Sequence, residues 1–333
     1  MKAAYFEKPG LENLKVGDLP KPAVGPHDVL VKVTLAGVNP IDYFVISGLR
    51  GVPKTPHIPG AEFAGVVEEI GDHVKNVKPG DRVAVYPRIY DGRCDLCVRG
   101  FEMLCRNGGI VGLVSYGGFA EYVVVPSKNV FKIPDSVSDE VAASLPVGGL
   151  TAYHSLKVAE ARFNEVLVSV GASGNTGMFV VQLAKMMGLR VVAISRKSWV
   201  RDFGADLVTT LDRAYGDVEN FTGGRMADIV IDPLGSKTFE SSIKLLGANG
   251  RFVTFGVLTG AEVKLSLAPI YHGQISIRGS TGGTVGEFME LVELASRYGF
   301  KVRVWRTYSL DQAVNAVKAL FDSQRDGRIF IKL

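Results

Sequence analysis

The sequence predicts an α/β protein of two domains, a mostly β, barrel-like unit and a doubly wound parallel sheet. Three observations point there. At 333 residues the chain exceeds what one core comfortably organises. Up to about residue 125, short β-branched runs are broken by Gly and Pro. After Pro134, strand-like runs alternate with helical ones, the texture of successive βαβ units.

In the first part, residues 28–35, 65–70, 81–85 and 121–125 read as strands, and Lys78-Pro-Gly-Asp81 reads as a turn. In the second, residues 165–170 form a buried-strand run, followed by a helical segment over 178–187 that ends at Gly188. Residues 190–194, 228–231, 250–255 and 275–278 supply further strands. From about residue 300 the pattern is strand, helix, strand, which fits a return to the first domain. The expected division is therefore 1–125 with 295–333, and 126–294.

The chain is 47% hydrophobic and 22% charged, with a net charge of +4 and no run of like charges. That balance argues against a nucleic-acid partner. The first residues lack the apolar stretch of a secretory signal, and no segment approaches a membrane span of about 20 apolar residues. The three cysteines are odd in number and tightly clustered, which disfavours a disulfide framework and suits the cytoplasm. Cys94, Cys97 and Cys105, with Asp91 three residues ahead, offer three thiolates and one carboxylate, a donor set for one structural zinc. The alternative is a set of free loop thiols. The five histidines, at 27, 57, 73, 154 and 272, show no ligand spacing along the chain.

The expected strand ending at Val170 runs into Gly171-Ala172-Ser173-Gly174-Asn175-Thr176-Gly177, with a helix directly after. Such a turn lets the backbone approach a pyrophosphate, and the helix N-terminus presents N–H groups to it. The next strand ends in Ser195-Arg196-Lys197, where an NAD site would place a carboxylate. A hydroxyl and two cations suit the 2′-phosphate of NADP(H), although a solvated basic turn has the same composition.

Several motifs then carry a resemblance along the whole chain: Gly37-Val-Asn39-Pro-Ile-Asp42, Pro59-Gly-Ala61-Glu-Phe-Ala-Gly65, Ser144-Leu-Pro-Val147-Gly-Gly-Leu-Thr-Ala-Tyr153 and Asp232-Pro-Leu-Gly235. In them the chain resembles the medium-chain dehydrogenase/reductase superfamily, in its quinone oxidoreductase-like and enoyl reductase-like branch. The resemblance implies a GroES-like catalytic domain, a Rossmann domain, a cleft between them, and a homodimer or homotetramer. It places Asp91 and the three cysteines on the family's structural-zinc lobe. The alcohol dehydrogenase branch holds a catalytic zinc at positions occupied here by Asn39, Ala61 and Val147, none of them a zinc ligand. Ile41 stands where a proton-relay hydroxyl is usual.

Those departures lead to an expected NADPH-dependent reductase of quinones or α,β-unsaturated carbonyl compounds, working without a catalytic metal. The rivals are an alcohol or sugar dehydrogenase and a non-catalytic NADPH-binding protein. Asn39 is a candidate donor to a substrate oxygen, Tyr43 a proton donor, Asp42 an orienting group and Arg50 a ligand for an anionic substrate group. Each has a structural alternative: a turn cap for Asn39, core packing for Tyr43, a solvated side chain for Arg50. Thr151, the stretch Gly256-Val257-Leu258 and Arg328 resemble family positions around the cofactor.

Overall fold

The computed structural model describes residues 1–333, which divide into two compact units, 1–147 with 283–333 and 148–282. The second unit is built on six parallel strands, in the spatial order Leu207–Thr209, Arg190–Ile194, Val166–Val170, Ala227–Ile231, Leu246–Thr254 and Ser276–Gly279. In chain order this is 3-2-1-4-5-6, with the reversal beside Val166–Val170. All five residues of that strand are buried, as a parallel strand covered on both faces requires. The Gly171–Gly177 turn leaves its C-terminal end and feeds the helix Gly177–Met186.

The first unit holds a seven-stranded sheet whose organising strand is Asp28–Gly37. One edge of that strand pairs antiparallel with Glu62–Ile70 from Val29↔Ile70 to Gly37↔Glu62. The other edge is shared: Tyr122–Pro126 takes residues 28–32, and Arg328–Lys332 takes residues 35–37. Gly37 therefore lies between Glu62 and Phe330 in the ladder. The strands Arg82–Val85 and Val130–Lys132 extend the sheet beyond Glu62–Ile70, and Val304–Ser309 pairs parallel with Arg328–Lys332.

The unit boundaries fall outside the 125/126 and 294/295 positions that the sequence texture marks. Val130–Lys132 pairs with Arg82–Val85, which keeps the segment after 125 in the first unit. The helix Val285–Tyr298 also belongs there. Its Phe288 lies wholly buried, 5.2 Å from the Phe131 ring and 6.0 Å from the Tyr86 ring. That helix starts at a capping box, Thr284 with Glu287, in a stretch read in sequence as part of the second domain. A short hairpin-like pair, Lys2–Tyr5 with Lys15–Asp18, was not legible beforehand. No helix is long and apolar enough to cross a membrane.

Candidate active site

The register around Gly37 determines what gathers in the first unit. Phe330 faces Gly37, and the Val38 N–H donates to the Ile329 carbonyl at 3.0 Å, so Arg328 reaches the level of Asn39. Arg328 and Glu62 form an ion pair in which both side chains are fully buried. Asn39 Nδ2 donates to Glu62 Oε2 at 2.7 Å and more weakly to the Gly37 carbonyl at 3.4 Å. The Val147 N–H donates to Glu62 Oε1 at 2.8 Å, from a π-helical turn over Leu145–Gly149. Glu62 is thus the hub, with donors on both oxygens. Gly37 makes room for it: a Cβ there would stand 2.6 Å from both Arg328 Nη2 and Glu62 Oε2.

The sequence motif on the helix Pro40–Ile46 serves this arrangement. Asn39 stands at its N-cap, and Asp42 at N3 reaches back to accept from the Asn39 N–H at 2.8 Å. The other Asp42 oxygen accepts from the Ala61 N–H at 2.9 Å, which ties the helix to the turn before Glu62. Burial pushes the Asp42 carboxyl up to about 7, against main-chain donors that pull it down. Tyr43 packs edge-on against Phe321 at 4.7 Å. Arg50 is exposed. Arg328, expected near the cofactor, is wholly buried and ion-paired with Glu62. Glu62 is not among the residues the sequence singles out: its partner lies 266 residues away in the chain, and no local signal announces it.

These residues do not fit a catalytic zinc. The Asn39 amide nitrogen is a donor engaged on Glu62, Ala61 and Val147 have no ligating side-chain atom, and the Glu62 charge is already met by its buried ion pair with Arg328. The cysteine cluster does fit a structural one. The four candidate ligand atoms of Asp91, Cys94, Cys97 and Cys105 lie within 4.8 Å of one another. Cys94 Sγ and Cys105 Sγ are 3.9 Å apart, against roughly 3.8 Å for two thiolates on one tetrahedral zinc. Asp91 is oriented beforehand: Oδ1 accepts from the Arg93 and Cys94 N–H groups at 2.8 and 3.0 Å, and Oδ2 from Asn107 Nδ2 at 2.6 Å. Those donors hold its carboxyl below the usual range, while burial first, and the neighbouring sulfurs, push the Cys97 thiol up to about 12. Arg106 grips Asp95 with Nε and Nη2 at 2.6 and 2.9 Å, a bidentate clamp across the lobe.

In the second unit, the turn from Gly171 to Gly177 has the tight packing of a phosphate-binding loop. A Cβ at Gly177 would meet the Gly171 carbonyl at 2.4 Å and Ala172 Cα at 2.7 Å, so only glycine lets the helix start this close to the strand. The loop is tied to its neighbour by the Ala172 N–H, which donates to the Ile194 carbonyl at 3.2 Å. Ser195, Arg196 and Lys197 therefore follow directly beside it, with Arg196 exposed and Ser195 Oγ accepting from the Lys197 N–H at 3.0 Å. Thr151 lies on the helix Leu150–Val158 and is partly exposed. Gly256, Val257 and Leu258 follow the strand Leu246–Thr254, with Val257 and Leu258 about half exposed. The Asp232 motif is structural: its carboxylate is buried and accepts from Leu234 N–H, Thr238 Oγ1 and Ser242 Oγ at 2.8, 3.0 and 2.6 Å.

Comparison with known proteins agrees with both units. The alcohol dehydrogenase GroES-like domain matches residues 25–135, and the zinc-binding dehydrogenase domain matches residues 176–297. An alcohol dehydrogenase of Geobacillus stearothermophilus is 34% identical over all of this chain and all of its own length. A cobalt- and zinc-bound thermostable alcohol dehydrogenase from Pyrobaculum aerophilum superposes with a TM-score of 0.94 at 42% identity, covering 100% of this chain and 99% of that one. A quinone oxidoreductase of Pseudomonas syringae pv. tomato DC3000 superposes with a TM-score of 0.83 at 27% identity, over the same shares.

Proposed function

The chain belongs to the zinc-type alcohol dehydrogenases of the medium-chain dehydrogenase/reductase superfamily, and from that premise we propose that it interconverts alcohols and carbonyl compounds without a catalytic zinc. It is an oxidoreductase of that superfamily, and use of a nicotinamide dinucleotide is expected of it. The relatives' names move the weight from quinone and enone reduction towards alcohols and carbonyls. What carries the metal-free part is the filling of the zinc positions: Asn39 and the Val147 N–H both donate to Glu62, and Arg328 neutralises it.

Bound nicotinamide would supply or take up the hydride. Charge on the substrate oxygen then falls to hydrogen-bond donors of the chain, for which the Tyr43 hydroxyl and Arg50 remain the candidates. Ser195, Arg196 and Lys197 support a preference for NADP(H), since no carboxylate follows the strand Arg190–Ile194 to repel a 2′-phosphate. A homodimer or homotetramer belongs to the same proposal. It is supported by the outer strand Ser276–Gly279 of the parallel sheet, on which Ile277 is exposed.

A second reading keeps quinones and conjugated carbonyls as acceptors. It is favoured by the same cluster, because addition of hydride to a conjugated carbon leaves an enolate that needs hydrogen bonds and no metal. One experiment separates the readings. Purified protein is assayed with NADPH and NADH against aldehydes, ketones, quinones and enones, and in reverse against alcohols, with metal counted per chain. Turnover of ketones or aldehydes, faster with NADPH and with one zinc per chain, is expected. Turnover confined to quinones and enones would replace the first reading with the second. Two zinc ions per chain would overturn the metal-free site, and tight NADPH binding with no turnover would remove the enzyme reading.

A further inference from the structure

We propose that the imidazoles of His27 and His73 form a second metal site, for a late first-row divalent cation, on the surface of the first unit. It shares no residue with the Asp91 lobe, and its two histidines stand 46 positions apart in the chain.

The fold brings them together by extending one ladder. Beyond the Val29↔Ile70 pair, the Gly71 N–H donates to the Asp28 carbonyl and the His73 N–H to the Pro26 carbonyl, each at 2.9 Å. The His27 carbonyl in turn accepts from the Ser127 N–H at 2.9 Å. At Gly71 the chains touch so closely that a Cβ would stand 2.1 Å from the Gly25 carbonyl oxygen. Both backbones are therefore pinned, although both side chains face solvent.

From these supports the rings meet with centroids 4.6 Å apart and planes tilted by 57°. His73 Nδ1 lies 3.2 Å from His27 Nε2, so one neutral ring donates to the other. Two imidazole nitrogens on one tetrahedral ion, each about 2.0–2.1 Å from it, stand roughly 3.3 Å apart. At the right angle of a square or octahedral ion the separation is about 2.9 Å. The observed spacing of 3.2 Å lies between the two. Coordination takes a lone pair from both nitrogens: His27 keeps its proton on Nδ1 and His73 on Nε2, and water completes the shell. Imidazole donors select nickel, copper or zinc over magnesium or calcium.

The test uses the whole protein, saturated with zinc and then dialysed against a weak chelator, so that the cysteine lobe stays filled. Calorimetric titration with Ni²⁺ is expected to show one site per chain, weakened at least about tenfold in His27→Gln and in His73→Gln and absent from the double variant. Cu²⁺ electron paramagnetic resonance is expected to show two nitrogen couplings in the wild type and one in each single variant. The substitutions are exposed, so unchanged dichroism and thermal midpoint without added metal are expected to accompany the loss. A double variant that binds Ni²⁺ as the wild type does, or a copper spectrum with the same nitrogens in all three proteins, overturns the site.

Discussion

Glu62 and Arg328 are each fully buried, and their charges are met within the protein by one another, by Asn39 and by the Val147 N–H. Removing one partner leaves the other as an uncompensated charge. Arg328→Met is therefore expected to cost about 3–5 kcal/mol of unfolding free energy, and Glu62→Gln a similar amount. The double variant should recover most of that loss, which urea denaturation of the four proteins checks. Asp42 has a different signature. Its folded-state pKa is raised by burial from the usual carboxylate value to about 7. Between about pH 4 and 7 the folded protein then holds a proton that the unfolded chain has released, so this group's stability contribution is complete below pH 4 and is lost as pH rises to 7. Asp42→Asn is expected to flatten that slope while lowering stability at pH 5, because an amide cannot accept at both ends; denaturation midpoints at pH 5 and 8 measure it. At this scale the sequence was partly legible. The absence of zinc ligands at 39, 61 and 147 could be read directly, whereas the Glu62–Arg328 pairing depends on register between distant strands.

The cysteine lobe was the most legible element, since ligand chemistry and spacing sit within 15 residues. What the sequence hid was its support. Asn107 holds Asp91 Oδ2 at 2.6 Å from a position with no ligand character of its own. Asn107→Ala is expected to weaken zinc binding by about 10–100-fold with all four ligands intact, as read by competition with a chromophoric chelator. Strands were visible wherever β-branched runs met Gly or Pro, and the turn from 171 to 177 announced its helix. The expected boundary at 294/295 cuts the helix Val285–Tyr298, for a physical reason. Its amphipathic pattern reports one buried face but not which sheet covers it, and Phe288 turns out to pack on Phe131 and Tyr86.

For the whole molecule, the order of the parallel sheet leaves Ser276–Gly279 as an outer strand, with Ile277 exposed on it and Leu267 and Tyr271 exposed on the helix Leu267–Gly273 before it. If a second copy covers this edge, Ile277→Lys should shift the protein towards monomer in light scattering coupled to size exclusion, with dichroism unchanged. An unchanged mass would place the contact elsewhere or remove it. Fold class was readable at this scale because alternation of strands and helices is a property of the entire chain, whereas surface pairing leaves no periodic trace.

The shared edge of the strand Asp28–Gly37 also has a meaning in time. Tyr122–Pro126 can dock on it early in synthesis, but Arg328–Lys332 arrives only after the whole second unit has been made. Until then Glu62 has no guanidinium beside it, and closing the first sheet over that carboxylate is costly. The second unit is a continuous segment and can fold as it emerges, while the first must wait for its last strand. A nascent chain halted before Arg328 would thus carry a finished dinucleotide-binding fold beside an unsealed sheet, an order of assembly opposite to the order in which the two are encoded.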